Sequence, residues 1–160
     1  MADSRQLRRL IAYNQWADEQ VLAAVTALDP AELARPREAY FGAIDDNLRH
    51  VNWAHRIWLS RWRDEAPPPR DAFGPPWPAA YGESHVLLGR FVDGLSDADA
   101  DRIFRFRDSR GTPHEMVLSE AIVHVVNHGT AHRAETGLLL ERLGQSPGDL
   151  DYLRWYRQQR

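Results

Sequence analysis

The sequence predicts an all-α fold, a four-helix bundle with one long crossover connection. Three observations carry that prediction. Apolar residues recur at three- and four-residue spacing in four separate stretches, the period of a helix with one buried face. Stop signals such as Asp29-Pro30 and Gly144 bound those stretches. Between the second and third stretches lies a proline-rich segment far longer than a simple up-down bundle needs.

The first helix is read from Ser4 to Ala27, with Ser4 as N-cap and Leu7, Leu10, Ile11, Val21 and Val25 on its apolar face. Asn14 and Ala17 share that face. Ile44, Leu48, Val51, Trp58 and Trp62 mark a second helix from Gly42 to Arg63, and a shorter third runs from Ala79 to Leu95. The fourth and longest spans Glu115 to Leu143, closed by Gly144 just past its end. Ala66 to Pro78 carries six of the ten prolines. Proline-rich chain extends about 3.1 Å per residue, so this segment reaches roughly 40 Å. A helix of about 22 residues is only about 33 Å long. The segment can therefore cross the whole bundle and leave the second and third helices parallel. Ile103 to Arg107, a turn at Asp108 to Gly111, and Thr112 onward read as a small β-hairpin between the third and fourth helices.

A chain of 160 residues suits a single domain, residues 1–160, with enough material for a core. The absence of cysteine excludes disulfides, thiolate metal sites and cysteine nucleophiles. All 20 basic residues are arginine, and they are spread along a chain of net charge -3. That pattern predicts no nucleic-acid partner. Met1 to Arg9 is polar and no apolar run approaches a membrane span, so the expected compartment is the cytoplasm, with no membrane partner.

Chemistry concentrates in Asn127-His128-Gly129-Thr130-Ala131-His132-Arg133. Residues four apart on a helix share a face, so two imidazoles can converge on one metal ion, and neutral imidazole is the commonest transition-metal ligand. His124 lies four residues upstream, but it and His132 are about 12 Å apart along the axis, so only an adjacent pair can ligate together. His124 then orients a ligand or fills the core. Neither pair has a glutamate after its first histidine, which excludes the His-Glu-x-x-His zinc proteases. No Glu-x-x-His motif is present on two helices, which excludes a di-iron carboxylate bundle. Two histidines with Asp46 or Glu135 would make an iron-type facial triad, and that option stays open. The second helix offers His50 and His55, about 140° apart around its axis, and spacing alone leaves both available as a third ligand. Gly129 and Gly137 inside the last helix each cost about 1 kcal/mol relative to alanine. Close packing is their simpler explanation; the other is a small wall beside the histidines. Trp16, Trp53, Trp58 and Trp62 read as core or dimer interface.

These residues together resemble a known family. His128 to Arg133 with His124 upstream is similar to the C-terminal signature of the DinB/YfiT-like metalloenzymes. Tyr13-Asn14-Gln15-Trp16-Ala17 resembles that family's first-helix motif. His50-Val51-Asn52-Trp53-Ala54 with Arg56-Ile57-Trp58-Leu59 resembles its second-helix motif, and Pro147 with Asp151-Tyr152 resembles its tail. The resemblance implies a four-helix bundle of unusual connectivity, a homodimer, and nickel or zinc held by His50, His128 and His132. It also implies a thiol-dependent transferase or isomerase, joining a low-molecular-weight thiol to a small-molecule substrate. Metal-assisted hydrolysis with Glu135 or Asp46 as proton acceptor is the alternative, and a non-catalytic metal-binding stress-response protein is another. The chain departs from the family pattern at Asp18, where asparagine is usual, at His55, where an acidic residue is common, and at Ala134-Glu135.

Overall fold

The computed structural model describes residues 3–160. Helix α1 runs Ser4–Val25 and is capped by Asp3, not Ser4. The Asp3 carboxylate accepts from the Arg5 N–H, while the Ser4 N–H donates to Asp97 Oδ1 at 2.8 Å. The Asp29-Pro30 stop doubles as a start: Asp29 caps a short α2, Pro30–Ala34, with proline in the first turn where its missing N–H costs nothing. Helix α3 spans Ile44–Trp62 and α4 spans Trp77–Asp93. The start of α4 lies before the predicted Ala79, because Pro78 fits its first turn. A short α5, Asp97–Ala100, carries a Ser96–Asp99 capping box.

The predicted hairpin is present. Strands β1, Ile103–Arg107, and β2, Pro113–Val117, pair antiparallel with Phe104 opposite Met116. Glu115 to Val117 are spent on that pairing, so α6 is Leu118–Arg142 and begins three residues later than its periodicity suggests. A final α7, Tyr152–Gln158, capped by Asp151, was not foreseen; its Trp155 is buried against Tyr13. None of the described helices is long and apolar enough to cross a membrane.

The four long helices α1, α3, α4 and α6 form the bundle, and side-chain pairs fix their directions. Trp77 Nε1 donates to Asp45 at 2.7 Å, the Tyr81 hydroxyl donates to the Leu48 carbonyl, and Trp62 stacks on Phe91 at 5.3 Å. Starts meet starts and ends meet ends, so α3 and α4 are parallel, as the crossover predicts. Asn47 meets Glu135 while Trp58 meets His124, so α3 and α6 are antiparallel. Two apolar cores fill the interior. One gathers Leu7 and Ile11 with Leu118, Ile122 and Val125; the other gathers Val21 and Leu22 with Leu48, Leu139 and Leu140. At the level between them the four helices contribute polar side chains: Asn14 and Asp18, Asn52 and His55, Ser84 and His85, Arg133 and Thr136, all buried.

Candidate metal centre

Two groups of ionisable side chains sit at that middle level. The first faces the seam between α3 and α6. His50 Nε2 lies 3.1 Å from His128 Nε2, and His132 Nε2 also lies 3.1 Å from His128 Nε2. One nitrogen of each ring falls within 4.8 Å of both others. Helical geometry explains the convergence: His128 and His132 are one turn apart on α6, and His50 faces them from the antiparallel α3. His55 points elsewhere, into the bundle interior, where it is 1% exposed. His124 packs against Trp58 with ring centroids 4.9 Å apart and takes no part in the cluster.

The His128 nitrogen is the telling atom. An imidazole nitrogen carries either one proton or one in-plane lone pair, so hydrogen bonding can serve one of its two close contacts well but not both. A shared cation resolves the conflict. Two nitrogens about 2.1 Å from one ion at a near-tetrahedral angle are roughly 3.4 Å apart, close to the spacing of these rings. All three rings are held in the neutral form a metal requires. Burial, reinforced by neighbouring histidines, lowers His50 to about 4 and His128 to about 3, and burial also lowers His132. The residues thus fit a divalent metal ion that three imidazoles would hold.

The surroundings divide the two carboxylate candidates. Glu135 accepts from the Tyr40 N–H at 2.6 Å and from Asn47 Nδ2 at 2.9 Å, so both oxygens are engaged. It pins the loop before α3 and so places Phe41, whose ring stacks on His50 at 4.5 Å and lies 5.2 Å from His132. Asp46 is exposed, one turn before His50, and lines a cavity of about 260 Å³ with Phe41, Arg49, His50, Trp53 and Arg70. Trp53 and Trp58, read from sequence as core or dimer interface, line the cleft beside His50 and His128, and Trp58 also packs against the core. Phe41, Asn47 and Arg70 were not singled out by sequence, because each acquires its role through a contact across the fold. Gly129 does not form a small wall beside the histidines. A Cβ there would meet Arg133 Nη1 at 2.7 Å and Asn14 Oδ1 at 2.8 Å, so glycine is needed to admit the Arg133 guanidinium.

That guanidinium belongs to the second group, in the bundle interior. Asp18, His55 and His85 also bring potential ligand atoms within 4.8 Å of one another. Here the place of a cation is already taken. Arg133 Nη1 lies 2.8 Å from Asp18 Oδ1 and 2.7 Å from Asn14 Oδ1, and His85 Nε2 lies 2.9 Å from Asp18 Oδ2. Burial would raise Asp18, but Arg133 and the His85 hydrogen bond bring it down to about 2. Burial also lowers His55 to about 4 and raises Tyr81 well above its ordinary value.

A family model matches residues 1–160, the whole chain, and that family is DinB. The chain belongs to the DinB family. The fold of this DinB protein is similar to the crystal structure of a DinB family member from Shewanella denitrificans, with a TM-score of 0.55 over 94% of this chain and 89% of that one. At 15% identity, the likeness speaks for the fold. No curated protein matches the chain.

Proposed function

We propose that this DinB protein is a metal-dependent enzyme that holds one nickel or zinc ion through His50, His128 and His132 and joins a low-molecular-weight thiol to a small electrophile. The observation that carries the metal part is the His128 nitrogen, crowded at 3.1 Å by two other imidazoles. A divalent ion held by neutral ligands keeps its full charge, and its Lewis acidity would make a thiolate available at neutral pH. The remaining work falls to the chain. Phe41 covers one side of the His50 ring and excludes water there. Asp46, exposed in the adjoining cavity, is the carboxylate free to accept a proton, whereas Glu135 is occupied in positioning the Phe41 loop. A chain without cysteine must take its reactive sulfur from a co-substrate.

Metal content of the purified protein and thiol-dependent consumption of monochlorobimane test the two parts separately. One equivalent of metal is expected, with affinity falling at least about 100-fold, or roughly 2.7 kcal/mol, in His50→Ala, His128→Ala or His132→Ala. His85→Ala should retain the metal. Full occupancy in the His50 variant would sink the triad. Turnover without any thiol would replace transfer with hydrolysis, and inertness with stoichiometric metal would leave a metal-binding protein without catalysis.

A further inference from the structure

The cleft beside His50 and His128 holds two arginines that form no close ion pair among the described residues. Its volume is about 320 Å³, in the range of small-molecule sites, and its lining includes Arg61 and Arg70 between Trp53, Trp58 and Phe106. The Arg61 guanidinium lies 4.7 Å from the Trp58 ring centroid and 4.8 Å from that of Phe106. Arg70 lies 4.7 Å from that of Trp53. Stacking of this kind fixes the plane of a guanidinium and leaves its edge donors available. Arg61 gives one N–H to the Arg107 carbonyl at 3.1 Å. Among the described residues, neither arginine has a carboxylate oxygen within 4.0 Å.

The acidic residue of the lining, Asp108, attracts Arg61 at longer range but makes no ion pair with it within 4.0 Å. Asp108 Oδ1 accepts from the Arg110 and Thr112 N–H groups, and its Oδ2 lies 3.2 Å from His114 Nε2. Those bonds hold the β1–β2 turn. Some arginines elsewhere do form ion pairs: Arg37 with Glu32, Arg63 with Glu65, Arg105 with Glu115 and Arg133 with Asp18. In a chain of net charge -3, two ring-stacked guanidiniums against the single Asp108 carboxylate in one small cleft leave a local positive field suited to an anion.

We propose that this cleft binds a small carboxylate, its anionic end between Arg61 and Arg70 and its apolar body against Trp53, Trp58 and Phe106. The inference names the substrate class of the function proposed above and rests on that reading for the chemistry that follows binding. The arginine pair itself is read from its own contacts. Planar guanidinium donors match the two oxygens of a carboxylate, which a neutral amide of the same shape cannot replace.

The test uses the full chain in excess EDTA, so that it does not depend on any metal. Binding of 3-phenylpropionate and of 3-phenylpropionamide is followed through tryptophan fluorescence, since Trp53 and Trp58 line the cleft. The acid should bind at least about tenfold more tightly than the amide. Arg70→Met and Arg61→Gln should each remove most of that preference while leaving amide affinity within about twofold, and high salt should weaken the acid alone. Equal affinity for acid and amide, no binding of either, or an undiminished preference in both variants would overturn the proposal. Displacement of bound 3-phenylpropionate by 3-mercaptopropionate but not by 2-mercaptoethanol would assign the carboxylate to the thiol partner. Retained binding against both thiols would assign it to the electrophile. Failure of the metal assays with success here would refute the proposed chemistry and leave the anion site standing.

Discussion

The same level of the bundle holds two clusters that look alike as sets of potential ligands and differ in electrostatics. His50, His128 and His132 contain no charge of their own and half-face solvent. Asp18, His55 and His85 are fully enclosed, and Arg133 is locked into them. Convergence of ligand atoms is therefore not enough to define a metal site. The open cluster has no arginine among its ligand atoms, and one nitrogen is in conflict with two neighbours. The closed cluster supplies its cation as a side chain, and its carboxylate is satisfied on both oxygens. One is built to receive something; the other is finished.

The closed cluster is where the largest stability effect should appear. Arg133→Leu removes the partner of a buried carboxylate and should destabilise the protein by about 3–5 kcal/mol in urea unfolding. It should leave metal affinity in the folded fraction nearly unchanged. A variant as stable as the parent would mean that Asp18 is not held as an ion, and the contrast between the clusters would collapse.

Acidification of the metal-free protein should come next. His55 is lowered to about 4 inside the fold but titrates near 6.5 when unfolded, so the unfolded chain binds more protons between those values. Stability should be full above about pH 6.5 and fall as pH drops toward 4, by about 3 kcal/mol from His55 alone. His50 and His128 act in the same direction. Asp18, lowered to about 2, adds its stabilisation above its unfolded value of 3.8 and loses it only below that pH. Thermal melts from pH 8 to 3.5 in EDTA measure the slope. A flat profile between 6.5 and 4 would show that burial does not keep these rings neutral. Saturating metal should shift the profile to lower pH by acting on the open cluster only.

The smallest effect belongs to Gly129→Ala. The new methyl gains about 1 kcal/mol of helix propensity but collides with Arg133 and Asn14, for a net loss of about 1–2 kcal/mol in urea unfolding. A gain in stability would mean that the Arg133 guanidinium can move aside.

Much of this was legible in one dimension. The four long helices follow from periodicity, and the parallel pairing of α3 and α4 follows from the reach of a proline-rich connection. Periodicity erred at the ends of elements, where a capping carboxylate or a strand partner outbids it: Asp3 for Ser4, and β2 for the first three residues predicted to be helical. The short α7 escaped because seven residues carry too little pattern and its stability comes from Trp155 packing on Tyr13. The departures from the family pattern also gain meaning only in space. Asp18 and His55 approach to 3.9 Å, so two of the departures meet across α1 and α3 as an acid beside an imidazole.

By itself the sequence determined the all-α class, the crossover and the His128 and His132 pair on one helical face, while its family resemblance supplied the expectation of His50. Local spacing is enough for the first three because a helix repeats on a fixed period. The tertiary structure alone decided that His128 is crowded from both sides, that Glu135 is a strut while Asp46 is free, and that Arg133 closes one cluster while Arg61 and Arg70 leave the cleft charged. Each of those depends on which side chains face one another across helices dozens of residues apart, and no periodicity along a chain encodes that.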